Sequence, residues 1–304
     1  MPVFSVILPF HRSADTLAAT LNSLQAQSFH DWEALCIDDG GGDPSRAIAD
    51  RFAAQDPRII VRDNTGTGPS DARNLGAAHA QGTYLAFLDA DDLWTPDKLS
   101  CLARAFATGR TDALYARIGF FEDTPSDSQT QSTVPDRPLQ IADLLAENPV
   151  CTLSNLTIRA SVFRALGGFD RDIVHNEDLE FLIRVIGQGH RVVGLDRLLT
   201  WYRTSANGLS ADMEAMLESR RRVIDAAARY GVRPTRAATA VYLRYLARRA
   251  LRLQSPHHEA WAYARAGLRA HPLAFLQPFK RGAATAAAAA CVRCCPGAAR
   301  LIKS

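Results

Sequence analysis

Short runs of consecutive apolar residues alternate, over the first two thirds of the chain, with segments whose apolar positions recur every three or four residues. The first pattern marks strands buried on both faces, and the second marks amphipathic helices. Val3–Pro9 predicts a strand. Leu17, Leu21 and Leu24 predict a helix after it, with Ser13 as N-cap and Asp15 in the first turn. Ala34–Asp38 predicts a second strand, and Pro44 stands at the N1 position of a helix running to about Gln55. Ile59–Val61 is a third strand. Asn64–Pro69 is a loop, and Ser70 or Asp71 caps a helix that carries Arg73 and ends before Gly82. Tyr84–Leu88 is a fourth apolar run, followed by a helix from Pro96 to about Ala107.

Beyond it the pattern predicts a strand over Ala113–Phe121, a polar mobile loop over Glu122–Pro138 and a short helix over Leu139–Glu147. Cys151–Ile158 reads as a strand, with a helix from Ser161 and a turn at Gly167–Asp170. Asn176-Glu177-Asp178 opens a helix whose apolar face is Leu179, Leu182, Ile183 and Ile186. Arg191–Leu195 and Leu199–Arg203 are extended. From Ala211 the reading is helical: Met213–Tyr230, Pro234–Leu253 and His257–Ala270, with Pro272, Pro278 and Gly282 as breaks. Strands alternating with helices predict an α/β fold with a mostly parallel sheet and a C-terminal helical extension. Two domains are expected, 1–210 and 211–304.

The 304 residues, 47% of them hydrophobic, are enough for a sizeable core. The net charge of +3 hides a division. Residues 1–210 carry 18 Lys and Arg against 27 Asp and Glu, whereas 211–304 carry 17 against 5. A basic end favours anionic surfaces such as lipid head groups or a polyanionic acceptor. Its other reading is a helical cap with a solvated arginine face. Ala283–Arg300, with Arg293, Arg300 and Lys303, is its outer part.

No basic n-region or cleavage site marks a signal peptide, and no run reaches the roughly 18 apolar residues of a membrane span. Cys36, Cys101 and Cys151 stand singly in apolar contexts and read as core residues. Cys291, Cys294 and Cys295 lack a second ligand pair at a zinc spacing. A reducing cytoplasm fits this cysteine usage.

In parallel α/β sheets ligands bind beyond the carboxyl ends of the strands. Pro9–Arg12, Asp38-Asp39 and Asp89–Asp92 all fall at such ends. Carboxylates are costly to bury unless paired or bound to a cation. Oxygen ligands suit Mg²⁺ or Mn²⁺, which bring substrate phosphates with them. Asp89 or Asp92 could instead cap the next helix. Neither a Gly-Lys-Ser/Thr phosphate loop nor a Gly-x-Gly-x-x-Gly fingerprint follows the first strand. Arg73 could add charge to a phosphate site. Glu177-Asp178 suits a helix N-terminus, and a carboxylate there could also serve as a general base.

Six stretches in order carry a resemblance: Phe4–Pro9, Ala34–Gly40, Ala72–Gly76, Phe87–Trp94 with Pro96, Gly168–Asp170, and Glu177-Asp178. Together they resemble the family 2 inverting glycosyltransferases of GT-A (Rossmann-like) fold, over roughly residues 3–210. The resemblance implies transfer of a sugar from a nucleotide diphosphate sugar, usually a UDP-sugar, with Mg²⁺ or Mn²⁺. It implies that Pro9 and His11 line the base pocket and that Asp39 holds the uracil or ribose. Asp89 lies near the ribose, Asp91 at the metal, and Asp92 beside the metal or the transferred sugar. Asp178 is the implied base, with Glu177 beside it, and Arg203 reaches the diphosphate.

Two positions depart from the family pattern. His11-Arg12 stands where Tyr-Asn is frequent, and Tyr202-Arg203-Thr204-Ser205 where Arg-x-His is frequent. The expectation is a cytoplasmic enzyme building a bacterial-type surface glycan on a glycan or lipid-linked acceptor. It would have peripheral contact with the inner membrane face and no nucleic-acid partner. The alternatives are a non-catalytic nucleotide-sugar-binding protein and a sugar-phosphate nucleotidyltransferase. The latter needs a Gly-rich activation loop with Lys or Arg after the first strand, and the chain has none.

Overall fold

The computed structural model describes residues 1–204, 213–253 and 257–294. The chain divides into two compact units, Met1–Leu139 with Pro149–Ser205, and Gln140–Asn148 with Ala206–Ser304. The boundary expected at 210/211 lies outside the described residues, as do Cys295, Arg300 and Lys303.

The first unit is built on one mixed sheet. Its first half is parallel and follows the apolar runs: β1 (Phe4–Phe10), β2 (Trp32–Asp38), β3 (Ile59–Asp63) and β4 (Tyr84–Phe87) lie in the order β3-β2-β1-β4. All seven residues of β1 are buried, as continuous apolar runs require when helices cover both faces. The helices between them are α1 (Leu17–Gln25), α2 (Ser45–Gln55) and α3 (Pro69–His79). Leu17, Leu21 and Leu24 of α1 join Phe4, Val6, Leu8 and Phe10 of β1 in the main core.

After β5 (Leu93–Trp94) and α4 (Lys98–Phe106) come β6 (Ala113–Phe121) and β7 (Thr130–Gln131). Then follow β8 (Thr157–Arg159), α6 (Ala160–Ala165), α7 (Glu177–Gly187) and β9 (Val192–Arg203), where α5 is the second unit's Ile141–Leu144. The sheet continues from β4 through β8-β6-β9-β5. β8 runs antiparallel to both its neighbours, and β6 runs parallel to β9.

Four local expectations are corrected. Helix α1 starts at Leu17, without a side-chain cap. The amides of Ser13 and Ala14 are instead taken by Ser45 Oγ (2.8 Å) and Asp43 Oδ2 (3.1 Å), so 13–16 form a turn tied to the loop before α2. The strand expected from Cys151 begins only at Thr157, because Leu153–Asn155 close a 3₁₀ turn capped by Thr152. The polar segment 122–138 contains β7, which pairs with β6. The two extended pieces at 191–203 are one strand, with a register irregularity opposite Ala116–Ile118.

The second unit is helical: α5, α8 (Met213–Ala228), α9 (Arg236–Arg252), α10 (His257–Ala270), α11 (Pro272–Leu276) and α12 (Phe279–Cys294). Thr235 caps α9 by accepting the amide of Ala238 at 3.1 Å. Its small core is Ala240, Ala247, Ala250, Ala260, Ala264 and Ala289 around the fully buried Phe275. Gly282 does not break the chain as expected. It lies within α12, where a Cβ would sit 2.4 Å from Leu276 Cα, so the residue permits a close backbone approach.

Cys36 and Cys101 are core residues as expected, whereas Cys151 is half-buried at a left-handed φ of 69°. Among the described residues no helix is long and apolar enough to cross a membrane.

Candidate active site

The carboxyl ends of β1, β2 and β4 lie side by side, because Phe10 is opposite Asp38 and Ile7 opposite Phe87. The backbone continues this alignment past the strands: Asp39 N donates to Phe10 O (3.0 Å) and Leu88 N to Ile7 O (3.0 Å). Pro9, His11, Asp39 and Asp89 are therefore placed along one edge of the sheet by strand register alone.

Asp39 is fixed at the first station. Its Oδ1 accepts from Asn64 Nδ2 (2.6 Å) and from the amide of Gly68 (3.1 Å). His11 Nδ1 lies 3.0 Å from the Asp39 carbonyl oxygen. Arg12, at a left-handed φ of 48°, donates to Gly41 O at 3.3 Å. The β1 and β2 loops are thus pinned to each other, and Pro9 stays within buried β1.

The acidic loop 89–92 is the second station. Asp89 N donates to Ser154 Oγ (2.9 Å), and its Oδ1 accepts from Arg73 Nη2 (2.7 Å). The Thr152 hydroxyl lies between Asp89 Oδ2 (3.2 Å) and Asp92 Oδ2 (3.3 Å). Asp92 is fully buried, and its Oδ1 accepts the amide of Arg203 at 2.9 Å. Burial, reinforced by the charges of Asp91 and Asp89, holds the Asp92 carboxyl well above its ordinary range. Asp91 is pushed up to about 6 by burial and then by Asp89. Asp89 and Asp92 do not cap a helix: α4 starts at Lys98, and Asp97 precedes it without a side-chain cap bond.

Arg73 joins this loop to α7. Its Nη1 donates to Glu177 Oε1 (3.0 Å) while Nη2 holds Asp89. Burial alone would pull the guanidinium down, and the carboxylates of Asp89 and Glu177 more than reverse that. The charge that the sequence offered to a phosphate is engaged by two carboxylates, and the side chain is only 8% exposed. Glu177 is pushed up to about 7 by burial, against the pull of Arg73, with Asp178 adding to the rise. Asp178 is half-buried at the start of α7, and its Oδ1 accepts the amide of Leu179 at 2.8 Å. Asn176, at a left-handed φ of 59°, turns the chain into that helix.

Arg203 ends β9 opposite Phe121 of β6. Its Nε donates to Asp91 O (3.0 Å), and its Nη1 to Glu122 O (2.9 Å) and Asp123 O (3.2 Å). It thereby ties the backbone of the acidic loop to the end of β9.

Several supporting residues escaped the sequence reading. Lys98 is fully buried and donates to Ser154 O (2.9 Å) and Thr200 Oγ1 (2.7 Å), with Nζ 4.6 Å from the Trp94 ring centre. Burial pulls it down to about 7, and Asp92 resists that fall. Asn155 ties the same turn to Ala116 through both its amide atoms. The available signal was three polar residues, Thr152, Ser154 and Asn155, inside an otherwise apolar run, and a lysine beside Leu99 on an apolar helix face.

Residues 5–167 match the model of a family described as "Glycosyl transferase family 2". The chain belongs to this family. Curated relatives agree. It is 39% identical over 218 residues to "Putative teichuronic acid biosynthesis glycosyltransferase TuaG" of Bacillus subtilis (strain 168), covering 69% of this chain and 82% of TuaG. It is 25% identical over 210 residues to "UDP-Glc:alpha-D-GlcNAc-diphosphoundecaprenol beta-1,3-glucosyltransferase WfgD" of Escherichia coli, covering 68% of this chain and 79% of WfgD. Against the uncharacterized glycosyltransferase EpsJ of Bacillus subtilis (strain 168), 29% identical, the chain spans 63% of the relative's length.

Among solved structures, S. aureus TarS 1-349 in complex with UDP-GlcNAc superposes with a TM-score of 0.65 at 17% identity, over 99% of this chain and 92% of that one. The mannosyltransferase PcManGT from Pyrobaculum calidifontis, in complex with GDP-Man and Mn²⁺, gives 0.58 at 18%, over 97% and 88%. These two likenesses are of fold, and they place the family 2 chain on the GT-A architecture. The protein is a glycosyltransferase, an α/β enzyme with added C-terminal helices.

Proposed function

We propose that this glycosyltransferase moves a sugar from a UDP-sugar to a hydroxyl of a glycan or lipid-linked acceptor, with inversion at the anomeric carbon. The observation that carries the reading is Arg73, which holds a carboxylate of the acidic loop and a carboxylate of the base helix in one hand. A donor on the first group and an acceptor at the second are brought to one place by that bridge. The printed names of relatives support the substrate class: WfgD uses UDP-Glc and a lipid diphosphate acceptor, and TarS holds UDP-GlcNAc.

In this reading Pro9, His11 and Asp39 receive the uracil and ribose. Asp89 stands near the ribose, Asp92 beside the transferred sugar, and Arg73 and Arg203 keep the loop between them in shape. Among the described residues no group of three or more His, Cys, Asp or Glu is arranged to hold a metal. The donor set nevertheless fits Mg²⁺ or Mn²⁺. These ions take one or two carboxylates and complete their shell with water and substrate phosphates. Asp91, raised to about 6 by burial, is the carboxylate that a cation would relieve. When bound, the cation supplies charge stabilisation to the departing diphosphate.

Asp178 takes the proton from the acceptor hydroxyl as the hydroxyl oxygen attacks the anomeric carbon. The bond to the diphosphate breaks on the opposite face, so one displacement inverts the configuration. Glu177 holds the start of α7 against Arg73 and sets the charge beside the base. The basic C-terminal helices rest against an anionic membrane surface on the inner face, where a lipid-linked acceptor would be found.

Asp178→Asn tests the reading. Turnover should fall by about 10²–10⁴, the usual worth of general base catalysis, while UDP affinity stays within about twofold. Unchanged turnover would overturn the role of Asp178 as the base and leave the α7 carboxylates to serve only the helix N-terminus. Proton NMR of the product gives the second check: the anomeric configuration should be opposite to that of the donor.

A further inference from the structure

The second unit holds a group of arginines that its described residues do not neutralise. Arg244, Arg248 and Arg252 recur every fourth residue along α9 and so share one face of that helix. Arg281 of α12 faces the same place, because Arg244 and Arg281 approach the same carboxylate. Arg244 Nη2 is 3.6 Å from Glu147 Oε2, and Arg281 Nη1 is 3.8 Å from Oε1. Arg244 is buried, and its Nη1 also donates to the carbonyl oxygens of Phe275 (3.0 Å), Ala274 (3.3 Å) and Gln277. Those bonds make Arg244 part of the scaffold that joins α9 to α11.

Arg248 is different. It is half-buried, and among the described residues it has no hydrogen bond and no carboxylate within ion-pair distance. Burial pulls its guanidinium down, and the charges of Arg281 and Arg252 pull it further, with Glu147 the one group that resists. A solvated arginine on a helix surface would turn away from such neighbours. A guanidinium held among three others and partly withdrawn from water is costly unless an anion joins it. Among the described residues, four guanidiniums stand against the one carboxylate of Glu147, which leaves three positive charges to be met. The guanidinium fork matches phosphate oxygens in pairs, and a phosphate carries more charge than a carboxylate in the same space.

We propose that Arg248, Arg252 and Arg281, on the scaffold of Arg244 and Glu147, form a phosphate-binding site in the C-terminal unit. Its ligand is a phosphate ester or diphosphate, either soluble or on a lipid head group. In the second case it deepens the proposed function, on which that identification rests, by naming the lipid phosphate that the C-terminal unit would hold.

The test uses the full chain free of divalent metal, so that the cation-dependent donor site does not take up the probe. Titration calorimetry with inorganic pyrophosphate reads the soluble arm. Flotation with phosphatidylcholine vesicles, with and without phosphatidic acid, reads the lipid arm. Wild type should bind in at least one arm. Arg248→Gln should weaken that binding roughly tenfold, as the loss of one charge-assisted bond implies. Arg248→Lys, which keeps charge and loses the fork, should fall between. Binding in the pyrophosphate arm alone assigns a soluble ligand, and binding in the vesicle arm alone assigns a lipid phosphate.

The exposed Arg252 provides a variant, Arg252→Gln, whose folding does not depend on packing, and circular dichroism confirms the fold of each protein. UDP affinity with Mn²⁺ should be the same in all of them; its absence throughout would count against the donor reading and leave the arginine site standing. No binding in either arm, or equal binding by wild type, Arg248→Gln and Arg252→Gln, overturns the site.

Discussion

At the scale of single residues, the acidic loop is a crowd of like charges kept in place by a few donors. The Thr152 hydroxyl stands between Asp89 and Asp92, while Arg73 and the Arg203 amide hold their outer oxygens. Thr152→Val removes the donor between two carboxylates at nearly constant volume. The expected cost is about 1–3 kcal/mol, the usual price of a buried acceptor left without its partner. It should be read as a lower melting temperature together with roughly tenfold weaker UDP-sugar binding. Glu177 makes a pH prediction. Its folded pKa of about 7 lies above the ordinary 4.5, so the folded state keeps the proton that the unfolded chain releases. Stability from this group is full below about 4.5 and is lost as pH rises through about 7. Melting curves of Glu177→Gln should therefore decline less than wild type across that window; parallel curves would show that Glu177 does not titrate there.

At the scale of elements, α3 lies close enough to the sheet to carry Arg73 to Asp89, and Gly76 is what permits it. A Cβ at 76 would sit 2.6 Å from Ile7 Cγ2 and 3.3 Å from Ile37 Cγ1. Gly76→Ala should cost about 1–3 kcal/mol by overpacking, and denaturant unfolding measures it. The parallel half of the sheet was legible in the sequence because each strand has its own apolar run and each helix its own period. The carboxylates at the strand ends were legible for the same reason, since position at a strand end follows from where the run stops. The turn at 153–155 was not. Leu153 and Leu156 give it the apolar content of a strand, while its shape depends on Thr152 capping Ser154 and on Asn155 reaching Ala116, partners distant or unmarked in sequence. Lys98 was missed because a lysine on an apolar face is explained only by Ser154 and Thr200, which lie 56 and 102 residues away. β7 was hidden likewise, since Thr130-Gln131 pairs through its backbone and carries no apolar signature.

At the scale of the whole molecule, charge and fold divide in the same way. The acidic first two thirds contain the family 2 match and the mixed sheet, and the basic remainder contains the alanine-cored helices. Shared fold with TarS extends over 99% of the chain, so the helical unit belongs to a recurring architecture as well as to this sequence. Taken together, the proposed acidic site for a cation and a nucleotide and the proposed arginine site in the basic unit would make an enzyme that handles phosphate at both ends of its reaction. The proposed function turns on a nucleotide diphosphate sugar held at the acidic loop through a divalent cation on Asp91. A thermal-shift screen of nucleotide sugars, with and without Mn²⁺, on wild type and Asp91→Asn tests it most directly. A UDP-sugar should raise the melting temperature only with Mn²⁺ present, and the rise should disappear in Asp91→Asn. A shift for no nucleotide sugar, or one that persists without Mn²⁺ and in Asp91→Asn, would contradict it.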